Sequence, residues 1–285
     1  MKLFYSGILI AVLLLGCAKE QPEVAWLKLE PWILQENSNS TVDQGEMSHD
    51  ISQAFVNMDG EILGAFELPA KIPVIGDGEH DFIIIPGIIN NGISATKRRY
   101  PFMEQFEQRI TLKKNDTVSV TPTTRYFSDL NFLIEDFESP AIQFEYANQS
   151  TVQFTREDDP EILQWGGYYG SIVLNEMDTL FSARTTFGEV LPKQGAEVYL
   201  EMDYYNTNSM LTGVLSFGNG TFFEDPNIQL NPQENPEWKH IYLELKELIS
   251  FRTQSPFAEM NFTSVLDKIG ADQYVYLDNI KVIYR

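Results

Sequence analysis

Apolar and polar residues alternate with period two over much of this chain, and turn residues break the alternation every few positions. That is the signature of short, half-buried strands, and long helical periodicity is absent from 26–122. Positions 51–58 and 61–66 flank Asp59-Gly60, a pair that supplies the positive φ angles of a tight primed turn, so a hairpin is predicted there. Further strands are predicted over 81–85 before Pro86-Gly87, over 106–113, and over 117–121 after Lys114-Asn115-Asp116.

Thr121-Pro122-Thr123-Thr124 punctuates the chain, which divides the pattern into a β-sandwich over 26–122, a linker over 123–129 and a second unit over 130–285. In the second unit, 170–174, 196–205, 210–217 and 257–266 each alternate. The stretch 238–249 fits strand or helix; it is assigned as a strand over 239–245 with a helical turn after it. Leu200, Met202 and Tyr204 would face a core and Glu201 and Asp203 would face water.

Two runs resemble known modules. Ile134-Glu135-Asp136-Phe137-Glu138 and the final run from Tyr274 to Tyr284 look like the first and last strands of jelly-roll modules related to carbohydrate-binding modules. Asp59-Gly60, Gly64, Leu68-Pro69, Ile72-Pro73-Val74, Gly78-Glu79-His80 and Pro86-Gly87 resemble small β-sandwich modules of the PEGA type, which serve as spacers and docking platforms. The resemblances imply an all-β protein, a small PEGA-like or immunoglobulin-like sandwich followed by a jelly roll. They also imply a structural calcium ion beside the paired terminal strands, with Asp136 or Glu138 and Asp278 as hard oxygen ligands.

Composition changes the picture at one end of the chain. Cys17 is the only cysteine, and it follows Lys2, an apolar run from Leu3 to Leu15, and Gly16. Leu14-Leu15-Gly16-Cys17 resembles the lipobox of bacterial lipoproteins, which implies removal of residues 1–16, acylation of Cys17 and a short tether over 17–25. The run is too short to span a bilayer comfortably, where roughly twenty residues are needed. Lys19-Glu20 and Glu23 resemble the charged signal that sends some lipoproteins to the outer face of the outer membrane, so the expected location is the outer membrane, with the cell surface open. With 41 acidic against 20 basic side chains the formal charge is −21, which disfavours nucleic acid as a partner.

Candidate chemistry is sparse. Glu201-Met202-Asp203-Tyr204-Tyr205-Asn206 resembles the Glu-x-Asp-x-x-Glu strand of laminarinase-type jelly-roll glycosidases, yet Asn206 stands where the second carboxylate must be. His49, His80 and His240 have no partner at metal-ligand spacing and are assigned to surface or turn positions. Trp165, Tyr168 and Tyr169 lie in a glycine-rich stretch where a pyranose could stack, with core filling as the competing assignment. Asp116-Thr117-Val118 and Asp178-Thr179-Leu180 match an O-glycosylation pattern of some bacteria that display surface lipoproteins, at Thr117 and Thr179. These features predict a non-catalytic, membrane-anchored lipoprotein that docks onto an outer-membrane protein complex. The alternatives are a glycan-binding surface lipoprotein and, third, a jelly-roll hydrolase.

Overall fold

The computed structural model describes residues 24–187, 190–218, 220–252, 255 and 257–285. The signal, Cys17 and the tether up to residue 23 lie outside the described residues. Strands of the N-terminal half are β1 (Val24–Leu29), β2 (Ile33–Leu34), β3 (Gln53–Met58), β4 (Glu61–Glu67), β5 (Ala70–Ile75), β6 (Gly78–Ile89), β7 (Lys97–Arg99), β8 (Phe106–Leu112), β9 (Thr117–Val120) and β10 (Thr123–Thr124). One sheet runs β4-β3-β6-β7 with β8 also on β6, a second runs β5-β1-β9, and β10 pairs with β2. Asp59 and Gly60 take φ angles of 51° and 87° and close the β3–β4 hairpin at the predicted place. Strand β6 runs on through Pro86 and Gly87 instead of stopping before them. Gly87 packs so tightly on Phe55 that a Cβ would lie 2.6 Å from its ring, and this close approach, rather than a turn, explains the glycine.

The C-terminal half holds β11 (Asn131–Glu135), β12 (Phe144–Tyr146), β13 (Thr155–Glu157), β14 (Tyr169–Leu174), β15 (Leu180–Thr185), β16 (Val198–Asn206), β17 (Met210–Gly218), β18 (Thr221–Leu230), β19 (Lys239–Glu244), helix α1 (Lys246–Phe251), β20 (Ala258–Val265) and β21 (Gln273–Tyr284). They form a jelly-roll sandwich. One sheet is ordered β13-β14-β21-β16-β19, with β11 also pairing β21, and the other is ordered β12-β15-β20-β17-β18. The first and last strands of this unit pair antiparallel, Asn131 opposite Tyr284, and the 239–245 stretch is a strand followed by a short helix. Inward residues such as Phe181, Met202, Met260, Phe262 and Val282 fill the space between the sheets.

The two sandwiches share a seam. Tyr199, Tyr242 and Ile283 of the jelly roll belong to the N-terminal core, with Tyr100 packed against Tyr199 and Tyr242 at ring separations of 5.1 Å. Edge strand β19 is covered as well: Asn91 N–H donates to Tyr242 O (2.8 Å), Glu244 N–H donates to Asn91 Oδ1 (2.8 Å), and Asn90 Nδ2 donates to Glu244 Oε2 (2.8 Å). Covering an edge this way satisfies groups that would otherwise recruit another strand. Arg98 crosses the seam to Glu244 (2.7 Å) and Glu197 (3.4 Å).

The segment read as a linker is part of this seam. Thr123 and Thr124 extend a strand beside Ile33 and Leu34, and Tyr126 is fully buried. An exposed connector is therefore not what joins the two halves.

Candidate functional site

The alternation of β16 holds, but its outer face meets protein instead of water. Glu201 and Asp203 are fully buried, which corrects their expected exposure. Tyr100 and Tyr126 donate hydroxyl hydrogen bonds to the two Glu201 oxygens, the second at 2.7 Å. His240, expected at the surface, is buried between the two acids, with Nδ1 2.8 Å from Asp203 Oδ1 and Nε2 3.4 Å from Glu201 Oε2. Asn279 Nδ2 donates to Asp203 Oδ2 at 2.9 Å, and Lys281 donates to the Glu46 carbonyl. Burial opposes the charge on His240, but Asp203 and Glu201 outweigh it and raise the imidazolium to about 9. Burial likewise opposes the Glu201 charge, and the His240 contact leaves that carboxyl below its ordinary value. These groups form a charge-balanced seam in which both acids of the hydrolase-like motif are buried.

Asp278 lies under the same cover, and burial pushes its carboxyl up to about 8, with Asp203, Asp136 and Glu138 adding to the effect. Among the described residues no group of three or more carboxylate or imidazole side chains converges to hold a metal ion. Glu138 Oε1 instead accepts the backbone N–H groups of Gly167 (2.5 Å) and Tyr168 (3.0 Å), and Asp136 Oδ1 accepts that of Glu138 (3.1 Å).

Of the three aromatics singled out, Tyr169 is buried, so it is not an open stacking surface. Its ring meets Tyr276 at 5.0 Å and Trp238 at 6.0 Å. Trp165 is half-buried with its ring 5.9 Å from Trp238, and Trp238 Nε1 donates to Ile162 O at 2.6 Å. Tyr168 packs on the jelly-roll core under the Arg156 guanidinium, 3.9 Å from its ring centre. These rings pin the 158–168 loop to the sheet. Thr117 and Thr179 are both exposed. His80 is paired with Asp59 at 2.6 Å, and half-buried His49 lines a cleft at the seam with Asp50, Trp165, Trp238 and His240.

Another open surface lies on the other jelly-roll sheet. Phe181, Ala183 and Thr185 of β15 point inward, which sends Ser182 and Arg184 outward; Met260 and Phe262 of β20 do the same for Glu259 and Asn261. Together with Leu215 and Phe217 of β17, Phe222 and Glu224 of β18, and Glu145 of β12, they line two adjoining hollows of about 230 and 350 Å³. Both hollows are bounded by Arg184, Leu215 and Phe222. Asn148 and Gln149 add amide groups at one end, while Phe217, Phe222 and Phe257 supply rings that are 39%, 57% and 44% exposed at the other. Gly213 lets β18 come this close to β17, since a Cβ there would meet the Asp225 carbonyl oxygen at 2.8 Å.

Arg184 organises the polar centre. Its Nη2 donates to Glu145 Oε2 at 2.7 Å, its Nε lies 3.4 Å from Glu259 Oε2, and its Cζ stands 5.4 Å from the Phe222 ring centre. Burial raises the Glu259 carboxyl, with Arg184 opposing and Glu145 adding to the rise. On the hairpin side, Arg252 grips Asp225 with two 2.7 Å hydrogen bonds and anchors α1 to β18. The result is a groove with apolar ring faces at one end and convergent donors and acceptors along its floor. None of these side chains was singled out in the sequence. The available signal was aromatic residues at outward positions on either side of the Gly218 and Gly220 turn.

Neither a protein family nor a curated protein sequence matches this chain. Among solved structures it is similar to a xylan-binding domain from family 22 carbohydrate-binding modules (11% identity, 53% of this chain and 93% of that one, TM-score 0.38). It is also similar to a structure described for the promiscuous specificity of carbohydrate-binding modules of the β-sandwich superfamily (12% identity, 85% and 87%, TM-score 0.39). A third is the CBM22-1 xylan-binding domain of Paenibacillus barcinonensis Xyn10C (14% identity, 53% and 91%, TM-score 0.36). At TM-scores of 0.36 to 0.39, such likeness identifies neither a family nor a ligand.

Proposed function

We propose that this protein is a non-catalytic glycan-binding lipoprotein, anchored through an acylated Cys17 and capturing a sugar chain in the groove of the β12-β15-β20-β17-β18 sheet. The observation that carries this reading is the pairing of exposed Phe217, Phe222 and Phe257 with the Arg184, Glu145 and Glu259 cluster. A pyranose has apolar C–H faces and a rim of hydroxyls. Rings take the first, and carboxylates, amides and a guanidinium take the second.

Within this reading the N-terminal sandwich is a fixed base for the jelly roll. It covers the Tyr199, Glu201 and Tyr242 part of the opposite sheet with buried tyrosines and ion pairs and leaves the groove sheet uncovered.

Docking onto an outer-membrane protein complex is the second reading, and one observation favours it. Phe251 is 74% exposed beside Arg252, which also stands 4.4 Å from the Phe223 ring centre, so the apolar surface extends past the groove. Titration of residues 24–285 with neutral hexasaccharides, together with a mild-detergent pull-down of the native protein, separates the two. Saturable sugar binding lost in Arg184→Ala supports the groove; a stoichiometric membrane protein with no sugar binding supports docking.

A further inference from the structure

We propose that the groove selects uncharged pyranose chains and rejects uronate-bearing ones, with Arg184 serving to position carboxylate acceptors and not to anchor an anion. This rests on the glycan reading above and adds a ligand class to it.

Three carboxylates, Glu145, Glu224 and Glu259, line the two hollows against one guanidinium, that of Arg184. Arg184 is the only basic residue lining them among the described residues, and both of its acidic neighbours already hold it, at 2.7 Å and 3.4 Å. Phe222 covers a further side of the same guanidinium. A ligand carboxylate would find that fork occupied, and would have to displace Glu145 or Glu259 to reach it. Glu224 is exposed and has no ion-pair partner among the described residues, so it adds an uncompensated negative charge at the mouth.

Hydroxyls meet the opposite situation. An ionised carboxylate accepts several hydrogen bonds, and an arginine contact uses only part of that capacity. Glu145 and Glu259 therefore retain lone pairs for sugar hydroxyls, while Asn148, Gln149 and Asn261 offer both donors and acceptors. Arg184 fixes the direction in which those lone pairs point. Its loss would release two acids toward each other and loosen recognition without opening a place for an anion.

The test is a pair of titrations at low salt on residues 24–285, one with a neutral β-linked hexasaccharide and one with a hexa-uronate of the same length. The neutral chain is expected to bind at least about tenfold more tightly, a gap that narrows with added salt because surface charge is screened. Glu145→Gln, a substitution at a largely exposed side chain, and the double variant with Glu259→Gln should each narrow the gap by strengthening uronate binding. Arg184→Ala should weaken the neutral ligand. Uronate binding as tight as neutral binding, or a gap unmoved by Glu145→Gln, overturns the selectivity while leaving the glycan reading standing. Binding of neither chain removes the glycan reading itself.

Discussion

Glu201 and Tyr126 lie 75 positions apart and meet at 2.7 Å, the carboxylate from the middle of a jelly-roll strand and the hydroxyl from the segment that joins the two sandwiches. Both residues are fully buried. A buried carboxylate is tolerable only when its lone pairs are occupied, so this contact makes the seam part of the fold and not an optional docking of two beads. Tyr126→Phe keeps the ring and removes one donor. The expected loss is about 1–3 kcal/mol in a urea melt, the usual cost of leaving a buried polar group short of a partner. A change below about 0.5 kcal/mol would show that the hydroxyl is dispensable.

The same network predicts a direction for pH dependence. His240 has its value raised from 6.5 to about 9, so its contribution is complete below pH 6.5 and is lost as pH rises through 9. Asp278 has its value raised from 3.8 to about 8 by burial; its contribution is complete below pH 3.8 and is lost as pH rises through 8. Both slopes have the same sign. The melting temperature should therefore fall from about pH 7 to 9, and Asp278→Asn should flatten part of that fall. A melting temperature that holds or climbs over this window contradicts the assignment.

Because Tyr199, Tyr242 and Ile283 belong to the N-terminal core, the jelly roll cut free at residue 130 should be less stable than it is within the whole chain. Its outer sheet would expose these three residues and uncover Glu201 and Lys281 at once. Differential scanning calorimetry should give one cooperative transition for the whole chain and a lower melting temperature, or aggregation, for 130–285. Limited proteolysis should spare 123–129 in its first cuts. Two separate transitions, or early cleavage in that segment, would indicate loosely joined units.

The anchor has its own check. Mass analysis of the native N-terminal peptide should find an acylated Cys17 with residues 1–16 absent. An unmodified Cys17 in a chain that retains Lys2 rules the anchor out.

Local patterns carried the strands better than they carried what covers them. Asp59-Gly60 specifies a hairpin through backbone sterics alone, and it forms in place. The ambiguous 239–245 stretch likewise resolves as a strand. Alternation also assigned Glu201 and Met202 correctly to opposite faces, because side-chain direction is a property of the strand. It could not tell water from a second sandwich on the far side of Glu201, since that depends on partners such as Tyr100 and Tyr126, about 101 and 75 positions away. For the same reason an acidic strand position and a lone histidine looked like surface residues and proved to be a buried pair. The groove was invisible for a related cause. Arg184, Glu259, Phe217 and Phe222 come from four strands, and only the sheet order brings them side by side. Trp165, Tyr168 and Tyr169 drew notice because they are close in sequence, yet the fold separates them: Tyr169 is buried, Tyr168 packs under Arg156, and Trp165 lines the cleft at the seam.

The proposed capture of a sugar chain by the Arg184 groove is tested by isothermal titration of residues 24–285 with a neutral hexasaccharide, repeated on Phe222→Ala. Phe222 is more than half exposed, so its removal should leave the melting temperature within a few degrees while it weakens binding severalfold or more through loss of ring stacking. Saturable binding without hydrolysis, reduced in Phe222→Ala and Arg184→Ala, is the predicted result. Absence of binding across a panel of neutral and charged hexasaccharides, or turnover of any of them that is abolished by Glu259→Gln, would contradict it.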